Sequence, residues 1–311
     1  MGGDNAPGAT LEGALRAVAS DDQDQIASGL EALGGNPGFE ICHASQVVDM
    51  HDSPAAAMRS KPDSSIANAV KAVKGGEAGA VVSMGNTGAL VASATRGLGT
   101  LQGVRRPGIA VTFALGGHPI TVLDMGANIV PKPEHLLQYG LMGGIYAKEC
   151  LDCAEPRVGL LNIGEESSKG TDLLKEAHGM LSAAPVGFVG NVEGNDMFQG
   201  KADVIVTDGF TGNVVLKLLE GFAGFMMGLV MGELKSHNAD YGGELLTNVQ
   251  RNIDYAEYGG ALLLGVNGVV VVGHGRSDAT AVANALGLAA RTLDAGLNER
   301  IVDGLASAQG A

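Results

Sequence analysis

The sequence predicts an α/β protein, a three-layer α/β/α arrangement around a mostly parallel sheet. Three observations predict it. Apolar runs such as Ala80–Ser83, Val158–Leu161 and Val204–Thr207 are hydrophobic throughout instead of alternating, as in strands covered on both faces. Helical and strand patterns alternate along the chain. The 311 residues include 49 glycines and no tryptophan, without a Gly-X-Y period, which suits many tight strand-to-helix turns and close backbone packing.

The elements follow in order. Leu11–Ala19 and Ile26–Leu33 carry apolar residues at helical spacing, and Phe39–His43 reads as a strand. Ser64–Lys74 reads as a helix with Ser64 or Ser65 near its N-terminus. A strand at Ala80–Ser83, a helix at Ala89–Leu98, strands at Ile109–Phe113 and Ile120–Asp124 and a helix at His135–Cys150 come next. After Pro156 the pattern gives strand Val158–Leu161, helix Thr171–Ser182, strands Val186–Val189 and Asp203–Thr207, and helix Val214–Met231. Val269–Val272 then leads through His274-Gly-Arg-Ser into a last helix. With no long linker and no low-complexity segment, one catalytic domain over 1–311 is expected.

The stretch Leu216–Met231 stands apart. It opens amphipathic, with Lys217 and Glu220, and becomes Phe222-Ala-Gly-Phe-Met-Met-Gly-Leu-Val-Met231. Polar Ser236–Gly243 and then Glu244–Arg251 follow, so 216–252 reads as a projecting helical hairpin. Two readings are open: a helix packed on the sheet or on a dimer partner, or an exposed apolar tip that touches a membrane or lipid chain.

Composition excludes several function classes. A formal charge of −14 disfavours non-specific nucleic-acid binding, and 4 % aromatic residues argue against base-stacking modules. No basic segment followed by an apolar stretch opens the chain, and no uninterrupted apolar run reaches the ~18 residues of a membrane span. Cys42, Cys150 and Cys153 suit a reduced compartment better than a disulfide framework. Cys150-x-x-Cys153 has no second pair beside it and reads as two small core residues. The dispersed histidines and acids show no metal-ligand spacing, and no Gly-x-Gly-x-x-Gly fingerprint is present, so no metal or cofactor is expected.

The chemistry lies in glycine-rich polar loops at the ends of apolar runs. Ala80–Ser83 leads into Gly85-Asn86-Thr87-Gly88, Val158–Leu161 into Asn162-Ile-Gly-Glu-Glu166 and Lys169-Gly170, and Val204–Thr207 into Asp208-Gly-Phe-Thr-Gly-Asn213. A strand, then glycines that turn N–H groups inward, then a helix N-terminus makes an anion site. Several such loops on one sheet edge imply a phosphate-handling enzyme.

Eight blocks together resemble one family, the bacterial phosphate acyltransferases of phospholipid synthesis (PlsX type). They are Met1-Gly-Gly-Asp-Asn-Ala-Pro7, Met84-Gly-Asn-Thr-Gly-Ala-Leu90, Leu123-Asp-Met-Gly-Ala-Asn128, and Arg157 to Glu166 with Lys169-Gly170. Gly190-Asn-Val-Glu-Gly194, Asp208 to Asn213, Tyr258-Gly-Gly-Ala261 and His274-Gly-Arg-Ser277 complete the set. The resemblance implies reversible transfer of a fatty acyl group from acyl carrier protein to inorganic phosphate. It also implies a fold like that of phosphate acetyltransferases and isocitrate and isopropylmalate dehydrogenases. A cytoplasmic homodimer is implied, peripheral to the inner membrane face where a membrane-bound glycerol-3-phosphate acyltransferase uses the product. The chain departs from the pattern in places: Met1 opens it where members carry a short strand ending Asp-Ala. Only Ser20-Asp-Asp22 stands where a further apolar strand is expected, and Gly116-Gly117 and Ser236–Gly243 look short.

Phosphate can itself be the nucleophile, which agrees with the lack of a Gly-x-Ser-x-Gly elbow or a Cys–His pair. Lys169 is the candidate cation for phosphate or the oxyanion, its alternative a surface lysine paired with Glu165 or Glu166. Asn86 and Thr87 are candidate donors with Gly85 and Gly88 exposing backbone N–H groups, or else form a turn with Thr87 as helix cap. Thr211 and Asn213 suit phosphate or carbonyl contacts, whereas Asp208 orients donors or caps the following helix. Asp124 and Asn128 divide equally between function and turn chemistry. His274 is a candidate donor or general base, or a loop histidine bonding its neighbours. Asp4, Asn162 and Glu166 enter the site through the resemblance. Carrier protein is acidic, so docking calls for a local basic area: Arg96, Arg105 and Arg106, or alternatively Arg59, Lys61, Lys71 and Lys74. Competing readings are a short-chain phosphate acyltransferase using coenzyme A, a dehydrogenase of the related fold, and a non-catalytic membrane-recruiting scaffold.

Overall fold

The computed structural model describes residue 42 and residues 44–115, 118–236 and 259–310. The helices expected over 11–19, 26–33 and 244–251, the strand over 39–43 apart from Cys42, and Asp4 lie outside the described residues. The chain divides into two compact units, and the catalytic domain expected over 1–311 spans both: unit 1 comprises 1–107 and 256–299, unit 2 comprises 108–255 and 300–311.

In unit 1 the helices are α1 (Pro54–Ser60), α2 (Ser65–Gly75), α3 (Thr87–Leu98) and α7 (Ala279–Asp294), and the strands β1 (Ala80–Ser83), β7 (Ala261–Leu264) and β8 (Val269–Val272). The strand order is β1-β8-β7, with β1 parallel and β7 antiparallel to β8. Ser64 begins α2 as expected, its hydroxyl accepting the Ala67 N–H at 3.3 Å. Gly76, left-handed at φ 76°, ends it. The core is aliphatic: Val81, Leu90, Leu263, Val270 and Val271 are almost wholly buried.

Unit 2 contains β2 (Gly108–Leu115), β3 (His118–Leu123), α4 (Pro133–Cys150), β4 (Arg157–Leu161), α5 (Asp172–Ala183), β5 (Gly187–Val192), a 3₁₀ turn at Asp196–Phe198, β6 (Val204–Val206) and α6 (Gly209–Ser236). Helix α8 (Leu297–Gly310) falls mostly in this unit. The strand order is β2-β3-β6-β4-β5. β3, β6, β4 and β5 are mutually parallel, and β2 is antiparallel to β3, because the short link through 116–117 permits no crossover. The architecture is mixed α/β and mostly parallel, as predicted. Tyr139, Leu136 and Met142 of α4 pack into the core with Val158, Leu160 and Ile205, all under 2 % exposed.

Helix α6 is longer than the predicted 214–231. The sequence reading found no uninterrupted apolar run of spanning length. Gly209–Leu234 nevertheless reaches that standard by length and composition, with mean hydropathy 1.8, because isolated charges such as Lys217 and Glu220 dilute it little. Only 6 % of its apolar window is buried, so most of the helix does not pack as a core helix of this chain. Phe210, Val214, Leu218, Phe222, Phe225 and Leu229 form a stripe at helical spacing, each half exposed or more.

Candidate functional site

In unit 2 the carboxyl ends of four parallel strands share an edge, and each carries a polar loop: 124–128 after β3, 208–213 after β6, 162–170 after β4 and 193–196 after β5. In open α/β sheets this edge is where ligands bind.

Asp124 organises the first loop. Its carboxylate is fully buried; Oδ1 accepts N–H groups of Ile109, Gly126 and Ala127 at 2.9–3.1 Å, and Oδ2 that of Asn128 at 2.7 Å. Burial pushes its pKa up while those donors oppose the shift. Both oxygens are committed to the backbone, so Asp124 shapes the turn. Asn128 stands at the end of that turn, with Nδ2 3.3 Å from Nδ1 of His135 and donating to Tyr139 Oη at 3.4 Å. The Lys132 N–H also donates to His135 Nδ1, which places the proton of the neutral ring on Nε2.

The second loop is stapled to the first. Gly209 N–H donates to the Asn128 carbonyl at 3.0 Å. Asp208 caps α6: Oδ1 accepts the Thr211 N–H at 2.8 Å and Oδ2 the Thr211 hydroxyl at 2.7 Å. Thr211 therefore spends its proton on Asp208 and presents lone pairs. Asn213, one turn on, is exposed beside Gly126. Glycine is required at two positions here. A Cβ on Gly209 would lie 2.7 Å from the Asn128 carbonyl oxygen, and one on Gly212 2.0 Å from that of Asp124. These glycines let the positive end of the helix dipole approach the turn.

The third loop carries the cation. Asn162 is buried and links both ends of the loop, Oδ1 accepting the Ile163 N–H and Nδ2 donating to the Lys169 carbonyl at 3.2 Å. Lys169 is exposed, and its ammonium makes no ion pair among the described residues. The pairing weighed for it with Glu165 does not form, because Lys201 takes Glu165 at 2.5 Å and Asp196 at 3.1 Å. Glu166 is exposed, and its carbonyl accepts from Asn191 Nδ2 at 2.9 Å. Asn191 belongs to the Gly190–Gly194 block, and nothing in its local sequence marks it as a site residue. It is 2 % exposed, and its Oδ1 is buried without a hydrogen-bond partner among the described residues.

Unit 1 has its own loop edge, formed where parallel β1 and β8 end. The helix cap weighed for Thr87 belongs to Asn86: its Oδ1 accepts the Ala89 N–H at 2.9 Å, and Thr87 is the first helical residue, exposed. Asn86 Nδ2 donates to the carbonyls of Asp49, Met50 and Asp52 at 3.0–3.2 Å, so its amide is saturated by protein contacts. Gly85 is buried and Gly88 exposed against Pro54, where a Cβ would meet the ring at 2.7 Å. Across the strand pair, His274 Nδ1 accepts the Arg276 N–H at 3.1 Å. That leaves Nε2–H as the outward donor of the neutral ring.

Cys150 and Cys153 are part-buried and form no disulfide among the described residues. Burial and the nearby Asp203 carboxylate push the Cys153 thiol up. Among the described residues no group of three or more His, Cys, Asp or Glu gathers as a metal site.

The mostly parallel sheet, with helices and glycine-rich loops at its carboxyl edge, defines the fold class, α/β of the phosphotransacetylase-like kind. A phosphotransacetylase from Streptococcus pyogenes superposes with TM-score 0.57 over 90 % of both chains at 16 % identity. The EutD phosphotransacetylase from Staphylococcus aureus does so with TM-score 0.53 over 90 % and 89 % at 15 % identity. The likeness is one of fold. The chain belongs to the family described as fatty acid synthesis protein, whose model matches residues 1–300. Relatives named phosphate acyltransferase include one from Heliobacterium modesticaldum, 45 % identical over 93 % of this chain and 91 % of its own. Another, from Dictyoglomus turgidum, is 42 % identical over 98 % and 96 %. The chain is an enzyme of the acyltransferase class.

Proposed function

We propose that the chain transfers a fatty acyl group from acyl carrier protein to inorganic phosphate, giving an acyl phosphate for phospholipid synthesis. The observation that carries this reading is the name phosphate acyltransferase on relatives 41–45 % identical over nearly the whole chain. A phosphate oxygen attacks the thioester carbonyl carbon, and the carbonyl electron pair moves onto its oxygen. Collapse of the tetrahedral species re-forms the carbonyl and breaks the C–S bond, releasing the thiolate. A thiol of pKa near ~8.5 leaves without strong acid assistance, so positioning and charge stabilisation supply most of the rate. The Lys169 ammonium is suited to the phosphate or the oxyanion. In unit 1, the Nε2–H of the neutral His274 ring is a further donor that suits an anion. Asp124, Asp208 and Asn86 act by holding their loops.

The cysteine usage suits a cytoplasmic setting, and the apolar stripe on α6 supports a homodimer or peripheral contact with the inner membrane face. There the product would reach a membrane-bound glycerol-3-phosphate acyltransferase.

The test is incubation of the purified chain with palmitoyl-acyl carrier protein and phosphate, following thiol release and acyl phosphate by mass spectrometry. Phosphate-dependent release, weak with palmitoyl-coenzyme A, is expected. Release from coenzyme A alone would move the donor assignment, and no release from either in folded protein would leave a scaffold.

A further inference from the structure

Helices α1, α2 and α3 of unit 1 enclose a cleft of about 250 Å³. Its floor is aliphatic: Val48, Ala57, Ala67, Val70 and Ala89. No aromatic ring lines the cleft on which a base or sugar could stack, and the Ser64 hydroxyl accepts the Ala67 N–H. The far end is tight, since a Cβ on Gly97 would come within 2.4 Å of Val70. The charged residues of the lining are Lys61, Lys71 and Arg96, with no acid among them, in a chain of net charge −14. Lys61 is held by Asp52 and Asp49. Lys71 donates to the Pro62 carbonyl and the Asn68 amide oxygen and lies in the field of the Asp63 carboxylate. Arg96 is exposed and makes no ion pair among the described residues. An aliphatic slot flanked by the guanidinium of Arg96, which has no ion pair among the described residues, suits a ligand with an alkyl chain and an anionic head.

We propose that this cleft binds a single-chain amphiphile with an anionic head, a fatty acid or an acyl phosphate, and seats about ten of its carbons. The chain length follows from volume: a dry cavity of about 150 Å³ admits benzene with its six carbons, so about 250 Å³ takes about ten. The binding needs no transfer reaction; only the acyl phosphate source rests on the reading above.

The test is calorimetric titration of the full chain with octanoate, decanoate, dodecanoate and tetradecanoate below their micellar concentrations, without carrier protein or phosphate. Each buried methylene contributes about fourfold (about 0.8 kcal/mol), so decanoate binds about fifteenfold more tightly than octanoate. Beyond ten carbons the affinity levels off to within about twofold, as added methylenes stay in water. Ser93→Phe, which fills the slot, abolishes binding, and Arg96→Glu, a surface change, weakens it about tenfold. Affinity that climbs unabated to tetradecanoate, or that is unchanged in both variants, would place the chain on an open apolar surface and overturn the proposal. If Ser93→Phe does not fold, as read by circular dichroism, Arg96→Glu and the levelling-off decide. Decyl phosphate separates the sources: tighter than decanoate assigns the acyl phosphate, weaker the fatty acid. Turnover is measured apart, so a failed transfer assay with intact binding counts against the reaction only.

Discussion

The first turn of α6 offers a prediction whose sign can be worked from geometry. Gly212→Ala places a methyl 2.0 Å from the carbonyl oxygen of Asp124, in a turn whose carboxylate is buried under four N–H donors. Ordinary contact is about 3.4 Å or more, so about 1.4 Å of movement is required of backbone, with no flexible side chain to yield. Overpacking of this kind costs ~3 kcal/mol or more, against which alanine recovers ~1 kcal/mol of helix propensity. The net loss is at least ~2 kcal/mol. Gly221→Ala in the same helix supplies the control, since its Cβ meets nothing within 4 Å. There the propensity acts alone and stability rises by up to ~1 kcal/mol. Urea denaturation followed by far-ultraviolet circular dichroism reads both, and acyl phosphate formation should fall in the first variant only. Equal stability of Gly212→Ala and wild type would refute the close approach of helix and turn. Destabilisation by Gly221→Ala would show that this face of α6 is covered.

Three further predictions follow from single groups. Lys169→Met should lower kcat/KM about a hundredfold or more at unchanged urea midpoint, because the ammonium is exposed and unpaired; activity within threefold of wild type removes it from the chemistry. Asn86→Ala loses the α3 cap and the amide that gathers three carbonyls, at a cost of ~1–2 kcal/mol by thermal unfolding; an unchanged transition would deny that those bonds matter. At Asp203, burial pushes the carboxyl up but is outweighed by the bidentate Arg157 guanidinium and its backbone N–H, which hold it below the ordinary value. A depressed folded pKa stabilises above the unfolded value near ~3.9 and is lost as pH falls, so the stability gap between wild type and Asp203→Asn should close below about pH 4. A gap that widens on acidification reverses the sign of the argument.

What the sequence disclosed, and what it did not, divides by range. The cap at Ser64 and the capping role weighed for Asp208 are bonds across three residues, and the chain spells them out. The mostly parallel sheet was legible because strands covered on both faces have no polar side to alternate. Asn86 shows the limit. The cap weighed for Thr87 lies one residue earlier, and nothing local reveals that the Asn86 Nδ2 serves carbonyls 34 to 37 residues away. Lys169 shows it again: Glu165 and Glu166 lie beside it in sequence, yet Glu165 is claimed by Lys201, 36 residues on. Only the folded edge, with β4, β5 and β6 side by side, decides which lysine keeps its charge unpaired.

Helix α6 joins the two kinds of information. Its glycines at 209 and 212 are read locally as loop residues, and in the structure they are what allows the helix to begin against the Asp124 turn. Past that first turn the same helix leaves its core and carries Val214, Leu218, Phe222, Phe225 and Leu229 into solvent. A chain of 17 % charged residues has ample means to make such a face polar, and it does not. The free-energy cost of an exposed stripe falls as soon as a second apolar surface covers it. One rigid element thus connects a loop of the candidate site to the surface where a partner subunit or lipid would sit. Charge substitution at Phe222 and Phe225 should therefore alter assembly or vesicle association, read by sedimentation and flotation, while acyl phosphate formation from soluble substrates persists. Loss of turnover together with loss of assembly would instead mean that the covered state is needed to hold the first turn in place.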